Sequence, residues 1–416
     1  MHLDTLEAPN SPFLNWPGLV RWLASTRRSG KEGLFSWTCP WLPFALLLLF
    51  RYGLRSSCQW GQRSIESQES ASKPTLANLT GLAQFHDLPQ EILRVSGQVA
   101  AGRLASSSRS WAEGLQPHLQ RDRVRLSMLE IFYIGGRMLM EVHTAQDHVQ
   151  RMHVNGEAWQ QVSQLPGARW AAAAAVLEQE ILVMGGYSDG QDLDVVDCFQ
   201  PAQSTWRRPP ELKLTSPRSL FSAAALDGRI YIVGGTSCGR EQDLCERCDG
   251  VGWESVLNLP LPRFGCSAVV TGGALYTIGG FSRGLVLRCC ERLDPCARAW
   301  RALPSPTVAR WSAAAVTLHG RIYVCGGFNG GSPLDIVERF SPSEESWEVL
   351  PSLTTPRKHL AAVRAGDSVY VLGGFDGNAS TAAVERFNSG ACGATGTWEK
   401  MRPLPIESEW GVAVAV

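Results

Sequence analysis

What the chain lacks narrows its function before any motif does. It has no surplus charge, with 39 Lys+Arg against 39 Asp+Glu, so it lacks the basic field by which a protein neutralises nucleic-acid phosphates. Its two parts differ only mildly, with 14 basic and 9 acidic residues over 1–127 and 25 against 30 over 128–416. Long apolar runs are missing too. The stretch from Trp41 to Phe50 is half the roughly 20 residues that a membrane helix needs; Pro43 interrupts it and Arg51 closes it. It also lies too far from Met1 for a signal peptide, and no membrane association is expected.

Chemistry is equally sparse. No glycine-rich phosphate loop occurs, and no nucleophile stands with a base and an orienting acid outside the repeating pattern described next. His143, His148 and His153 fall at five-residue steps, which fits no helical ligand pair and alternates faces on a strand. The chain is expected to be no enzyme, with no catalytic residue, no cofactor and no metal.

What is present is repetition. Gly-Gly pairs stand at 135, 185, 234, 279, 326 and 373, separated by 50, 49, 45, 47 and 47 residues. Five of them end an apolar run with strand character: ILVMGG, IYIVGG, LYTIGG, IYVCGG and VYVLGG. A tryptophan follows each pair, at Trp159, Trp206, Trp253, Trp300, Trp347 and Trp398. The unit from Arg310 reads as four short strands with turn residues between them, the pattern of an antiparallel propeller blade rather than a helical solenoid. Alanine-rich stretches at 171–175, 223–225, 313–315 and 361–362 suit innermost strands crowded about an axis. This pattern resembles the kelch repeat, whose hallmark is the double glycine followed by a spaced aromatic and a tryptophan. The resemblance covers residues 128–416 and implies an all-β, six-bladed kelch propeller.

The spacing also predicts how the ring closes. Arg169, Arg218, Arg263, Arg310 and Arg357 each stand 16 residues before the first glycine of a pair. The first pair has no such arginine and no alanine strand before it. The chain's last residues, ESEWGVAVAV, read as an innermost strand with no glycine pair behind it. Residues 411–416 are therefore expected to complete the first blade and remove its open edge. In that alignment Trp410 matches Trp170 and Trp311, and Glu409 matches the arginines.

The repeat also reassigns residues that look chemical. Of twelve cysteines, Cys245 and Cys290 fall where other repeats place Val196, Val337 and Val384, and Cys248 falls where they place Phe199, Phe340 and Phe387. They read as buried thiols in a reduced, intracellular protein rather than zinc ligands. A cytoplasmic location, or a nuclear one, is expected.

Two readings of the arginines are open. In kelch propellers the turn before the innermost strand shares a face with the loops after the glycine pairs. Arg169, Arg218, Arg263, Arg310 and Arg357 would then meet Tyr187, Phe281, Phe328 and Phe375 at one mouth of the channel and bind an acidic or phosphorylated segment of a protein substrate. Alternatively each arginine is a structural element paired with a repeat acid such as Glu291, Glu338 or Glu385.

Before the repeats, residues 1–60 form an extension of uncertain structure and 61–84 a small-polar linker. Residues 85–125 read as a helical segment, capped by Asp87 with Pro89 in its first turn. Its pattern LPQEIL to RLASSSRSW resembles the F-box, although Gly97 and Gly102 each weaken a helix by about 1 kcal/mol relative to Ala. That resemblance implies a substrate receptor of an SCF-type ubiquitin ligase, with Leu88, Pro89, Ile92, Leu93 and Trp111 docking a Skp-type adaptor and through it a cullin. The alternative is a kelch scaffold with no ligase role.

Overall fold

The computed structural model describes residues 129–138, 144–154, 156, 158–294, 298–389 and 396–416. The extension, the linker and the F-box-like segment, with Leu88, Pro89, Ile92, Leu93 and Trp111, lie outside the described residues.

Six four-stranded antiparallel sheets form the blades of a propeller. The fifth blade shows the plan: Ala314–Leu318, Arg321–Cys325, Val337–Ser341 and Ser346–Leu350, in that order from the axis outward. Second strands are apolar and buried after their first residue, as in Glu180–Met184, Arg229–Val233 and Ser368–Leu372, because both of their faces are packed between neighbouring blades. Innermost strands such as Ala173–Leu177 instead alternate buried and half-buried positions, with each face against a neighbouring blade and the unpaired edge toward the channel. The apolar core is divided accordingly into six clusters, each shared by two adjacent blades.

The ring closes as the alanine-rich tail predicts. Val412–Ala415 pairs antiparallel with Glu130–Ile134, matching Ile131 with Ala415 and Ile134 with Val412. It supplies the innermost strand of the first blade, whose outer strands are His148–His153 and Gln160–Gln164. The outer-strand tryptophans tie each blade to the one before it: Trp253 Nε1 donates to the Leu212 carbonyl at 2.8 Å, Trp347 to that of Pro304 at 2.8 Å, and Trp398 to that of Pro351 at 2.8 Å.

The glycine pair has a steric cause. Gly326 has φ +58° and Gly327 φ +102°, a region closed to most side chains. A Cβ on Gly326 would sit 2.5 Å from the Arg357 carbonyl oxygen, and one on Gly327 2.9 Å from the Ala313 Cβ. This close approach lets the Gly327 N–H donate to the Arg357 carbonyl across blades at 2.9 Å.

The same bond fixes the frame of the last blade junction and corrects one alignment. Gly186, Gly235, Gly280 and Gly327 donate to the carbonyls of Arg218, Arg263, Arg310 and Arg357, and Gly374 donates to Ser408 at 2.9 Å. Ser408, not Glu409, stands in the arginine position. Glu409 pairs with Arg137 as Trp170 pairs with Tyr187 and Trp311 with Phe328. Trp410 therefore matches Ala171 and Ser312, one position beyond the expected one.

That position forms a collar around the axis. Ala171, Leu220, Gly265, Ser312, His359 and Trp410 all have positive φ, between 51° and 60°. Each donates its N–H to the carbonyl of its counterpart in the preceding blade, at 2.8–3.1 Å, and the N–H of Ala171 reaches the carbonyl of Trp410 to complete the circle. Below the collar a channel of about 200 Å³ runs between the small residues of the innermost strands. Among the described residues no helix is long and apolar enough to cross a membrane.

Candidate functional site at the channel mouth

The five arginines are the residues that a binding surface for an acidic partner would need. None is on the surface. Each is 0–1% exposed and is held by a carboxylate on the third strand of its own blade: Arg169 by Asp197, Arg218 by Glu246 at 2.6 Å, Arg263 by Glu291 at 2.7 Å, Arg310 by Glu338, and Arg357 by Glu385. Arg310 Nη1 also donates to the carbonyls of Gly326 at 3.0 Å and Ile336 at 3.1 Å. Burial pulls the guanidiniums of Arg169, Arg218, Arg310 and Arg357 below their ordinary values, against the pull of their carboxylates; they stay charged. Of the two readings of this series, the paired structural one describes these side chains. A bound partner has no access to them, because each side chain is enclosed within its blade and held there by a carboxylate.

The first blade omits the pair altogether. Ser408 stands for the arginine and Gln150, opposite Tyr133 as Asp197 is opposite Val183, stands for the carboxylate. Ser408 Oγ lies 3.4 Å from the Gly135 carbonyl, the bond that Arg169 Nη1 makes to Gly185. Both charges are gone together, so neither is left buried alone.

The residue after each arginine is the one that reaches the mouth. It pairs with the residue after the glycine pair in an isolated antiparallel bridge, one per blade: Trp170 with Tyr187, Ser219 with Thr236, Phe264 with Phe281, Trp311 with Phe328, Lys358 with Phe375, and Glu409 with Arg137. The expected aromatics Tyr187, Phe281, Phe328 and Phe375 are therefore gathered on one face and are half-buried. They are joined by residues that the sequence reading did not single out as a site, Trp170, Phe264, Trp311, Lys358 and Arg137. The signal for most of them was available, one position beyond each arginine.

Trp311 is the centre of this belt. Its ring lies 5.6 Å from Phe264, 5.9 Å from Phe281, 6.3 Å from Phe328 and 6.2 Å from Trp410, and Trp410 lies 5.9 Å from Trp170. Two cations stand over it. Lys358 Nζ is 4.4 Å from the Phe328 ring centroid and 5.2 Å from that of Phe375, and Arg137 Cζ is 4.4 Å from that of Trp170. Burial lowers the pKa of Lys358, and it forms no ion pair among the described residues. Arg137 Nε donates to Glu409 Oε1 at 2.9 Å, and His359 Nδ1 lies 2.7 Å from the other Glu409 oxygen. Burial pulls His359 down to about 4, so the ring is neutral near pH 7. Against burial, the His359 and Arg137 contacts hold Glu409 below the usual carboxylate range.

The cysteines sit where the repeat places them. Cys245 and Cys290 pair with Val233 and Ile278 just as Val196 pairs with Met184, and Cys248 pairs with Ile230 as Phe199 pairs with Ile181. All three are buried among apolar side chains, and burial raises the thiols of Cys245 and Cys290, the former to about 12. They pack as core residues.

Comparison with known proteins agrees with this geometry. The Kelch motif family model matches residues 170–213, 262–307, 310–354 and 356–405. Kelch-like protein 33 of Homo sapiens is 30% identical over 110 residues, 26% of this chain and 20% of that protein. Kelch-like protein 35 of Mus musculus is 31% identical over 136 residues, 32% of this chain and 22% of that protein, and Kelch-like ECH-associated protein 1B of Danio rerio is 31% identical over 83 residues, 19% and 14%. The chain thus matches between 14% and 22% of the length of these relatives. Among solved structures, that of YjhT shares the fold, with a TM-score of 0.56 over 64% of this chain and 97% of that one at 15% identity. The chain carries Kelch motifs, and they fall within the blades of its propeller.

Proposed function

We propose that the channel mouth is a recognition surface for a protein partner, and that it takes an acidic or phosphorylated segment. The observation that carries this reading is the pairing of Lys358 with the aromatic belt around Trp311. Lysine and half-buried aromatics together supply apolar contact area and a positive charge, while the other cation, Arg137, is shared with Glu409. The interior arginines support the surface from below and make no contact with the partner.

The test is binding of the full chain to an immobilised library of acidic peptides. Lys358→Glu is expected to weaken the best binders by at least about tenfold, ~1.4 kcal/mol, with the melting temperature unchanged. Arg207→Glu on the outer rim, where Arg207 is 52% exposed, is expected to leave binding as it was. Equal affinity of the Lys358→Glu and native chains overturns the reading.

The propeller is further proposed to present its partner to a ubiquitin ligase, working in the cytoplasm. The F-box-like pattern from Leu88 to Trp111 supports this role, in which Leu88, Pro89, Ile92, Leu93 and Trp111 would engage a Skp-type adaptor. Tethering raises the effective concentration of the substrate near the charged enzyme, so the propeller itself needs no catalytic group. Co-purification of the full chain with a Skp-type adaptor, lost on Leu88→Ala with Pro89→Ala, is the expected result. Absence of the adaptor from the native complex removes the ligase role and leaves a kelch scaffold.

A further inference from the structure

Three consecutive rungs of the collar carry polar atoms with nothing to bond. Ser312, His359 and Trp410 are linked in sequence, the His359 N–H to the Ser312 carbonyl at 3.1 Å and the Trp410 N–H to the His359 carbonyl at 2.9 Å. All three line the channel. Ser312 Oγ, His359 Nε2 and Trp410 Nε1 are each shielded from solvent and have no hydrogen-bond partner among the described residues; Ser312 is 6% and His359 8% exposed. A buried polar group left unpaired carries its desolvation penalty with nothing to offset it. Three of them on one arc of one channel mark a place built for an occupant.

The donor and acceptor pattern defines that occupant. Glu409 already accepts from Arg137 Nε, so it is the acceptor of the 2.7 Å contact with His359 as well, and Nδ1 carries the imidazole proton. His359 Nε2 is then a bare acceptor. The Trp410 indole can only donate, and the Ser312 hydroxyl does either. An acceptor thus stands beside a donor, with the His359 and Trp410 rings stacked at 3.7 Å and 18°. A carboxylate would bring its lone pairs against that of Nε2. An ammonium would suit Nε2 but leave the indole N–H unanswered. A planar group with an N–H on one arm and an oxygen on the other answers both, and a two-armed group spans successive rungs better than one oxygen atom does. The alanine walls below, Ala173, Ala223, Ala314 and Ala361, leave a narrow channel that admits a short side chain.

Deepening the recognition reading above, on which it rests, we propose that the collar binds a primary carboxamide, the side chain of a glutamine or asparagine that the partner lowers into the channel between Ser312, His359 and Trp410. The amide N–H donates to His359 Nε2, and its oxygen accepts from Trp410 Nε1 and the Ser312 hydroxyl. Lys358 and Arg137 attract acidic neighbours of that residue to the rim, while the collar selects for the uncharged tip.

The probe is propionamide, titrated against propionate into the full chain labelled with ¹⁵N at tryptophan. The Trp410 indole cross-peak is identified by its loss in Trp410→Phe. Propionamide is expected to shift this peak saturably, while propionate at equal concentration does not. His359→Phe, which keeps an aromatic ring against Trp410 and removes the acceptor, is expected to abolish the shift. Equal shifts with both probes overturn the proposal, and so does no shift with either, which leaves the collar atoms to water alone. Because the probe contains no peptide, failure here leaves acidic-peptide binding intact, and failure of peptide binding leaves this titration to be read on its own.

Discussion

Arg310 and Glu338 are both fully enclosed, at 0% exposure each, so neither can turn to water when the other is removed. Arg310→Met is expected to destabilise the chain by about 3–5 kcal/mol, because it strands a buried carboxylate. Adding Glu338→Gln to Arg310→Met is expected to restore most of that loss in chemical denaturation, following the neutral Ser408 and Gln150 of the first blade. A double variant no more stable than the single one would show that the guanidinium matters for its bonds to Gly326 and Ile336 rather than for its charge. The pairing had a trace in the sequence: each arginine precedes its carboxylate by 28 positions. Spacing shows that two residues recur together, but not whether they face water, and so both readings of the series stood until burial separated them. The slip of Glu409 into the arginine frame has a related cause. Every other innermost strand is held between an arginine and a following glycine pair, and the last has no following pair to anchor the count.

At the scale of the element, the loops after the glycine pairs prove to be small hairpins. Tyr187–Ser188 pairs with Gln191–Asp192, Thr236–Ser237 with Arg240–Glu241, and Phe281–Ser282 with Leu285–Val286. The second and third are each held by the one before. Asp192 accepts from the Cys238 N–H at 2.8 Å and the Ser219 hydroxyl at 2.6 Å, and Glu241 accepts from the Arg283 N–H at 2.8 Å and the Ser282 hydroxyl at 3.2 Å. These carboxylates stiffen the rim that carries Tyr187 and Phe281. Glu241→Ala is expected to raise amide exchange at Arg283 by about tenfold or more while the melting temperature moves little, since the bonds lost are local to the rim. Unchanged exchange at Arg283 would mean that the hairpin holds itself. The long strands were legible because an apolar run ending in two glycines repeats, whereas two-residue strands have no period to detect. Likewise Tyr187 and Phe375 were found by their place after the glycines, while their partners Trp170 and Lys358, each one position beyond an arginine, are tied to the mouth by the bridges that join them.

The whole molecule depends on closure. Removing residues 411–416 would uncover the edge of Glu130–Ile134, including Ile131 and Phe132, and open the cluster that Val414 shares with Phe132 and Ile181. The expected result is loss of the native thermal transition, or a fall in Tm of more than about 10 °C; a truncated chain melting with the native one would refute closure by this strand. The ring was legible from the unpaired alanine-rich tail alone, since a blade lacking one strand and a strand lacking its blade leave a single solution.

The collar sets an order on biosynthesis. Its bonds from Leu220 to Ala171, Gly265 to Leu220, and onward can form one after another as successive blades emerge from the ribosome. The N–H of Ala171 is made early and waits for the carbonyl of Trp410, just as Ile131 waits for Ala415. From the synthesis of Glu130–Ile134 until that of Val412–Ala415, then, the nascent chain carries a bare strand edge on its oldest blade, open to a neighbouring ribosome's product as readily as to its own unfinished partner.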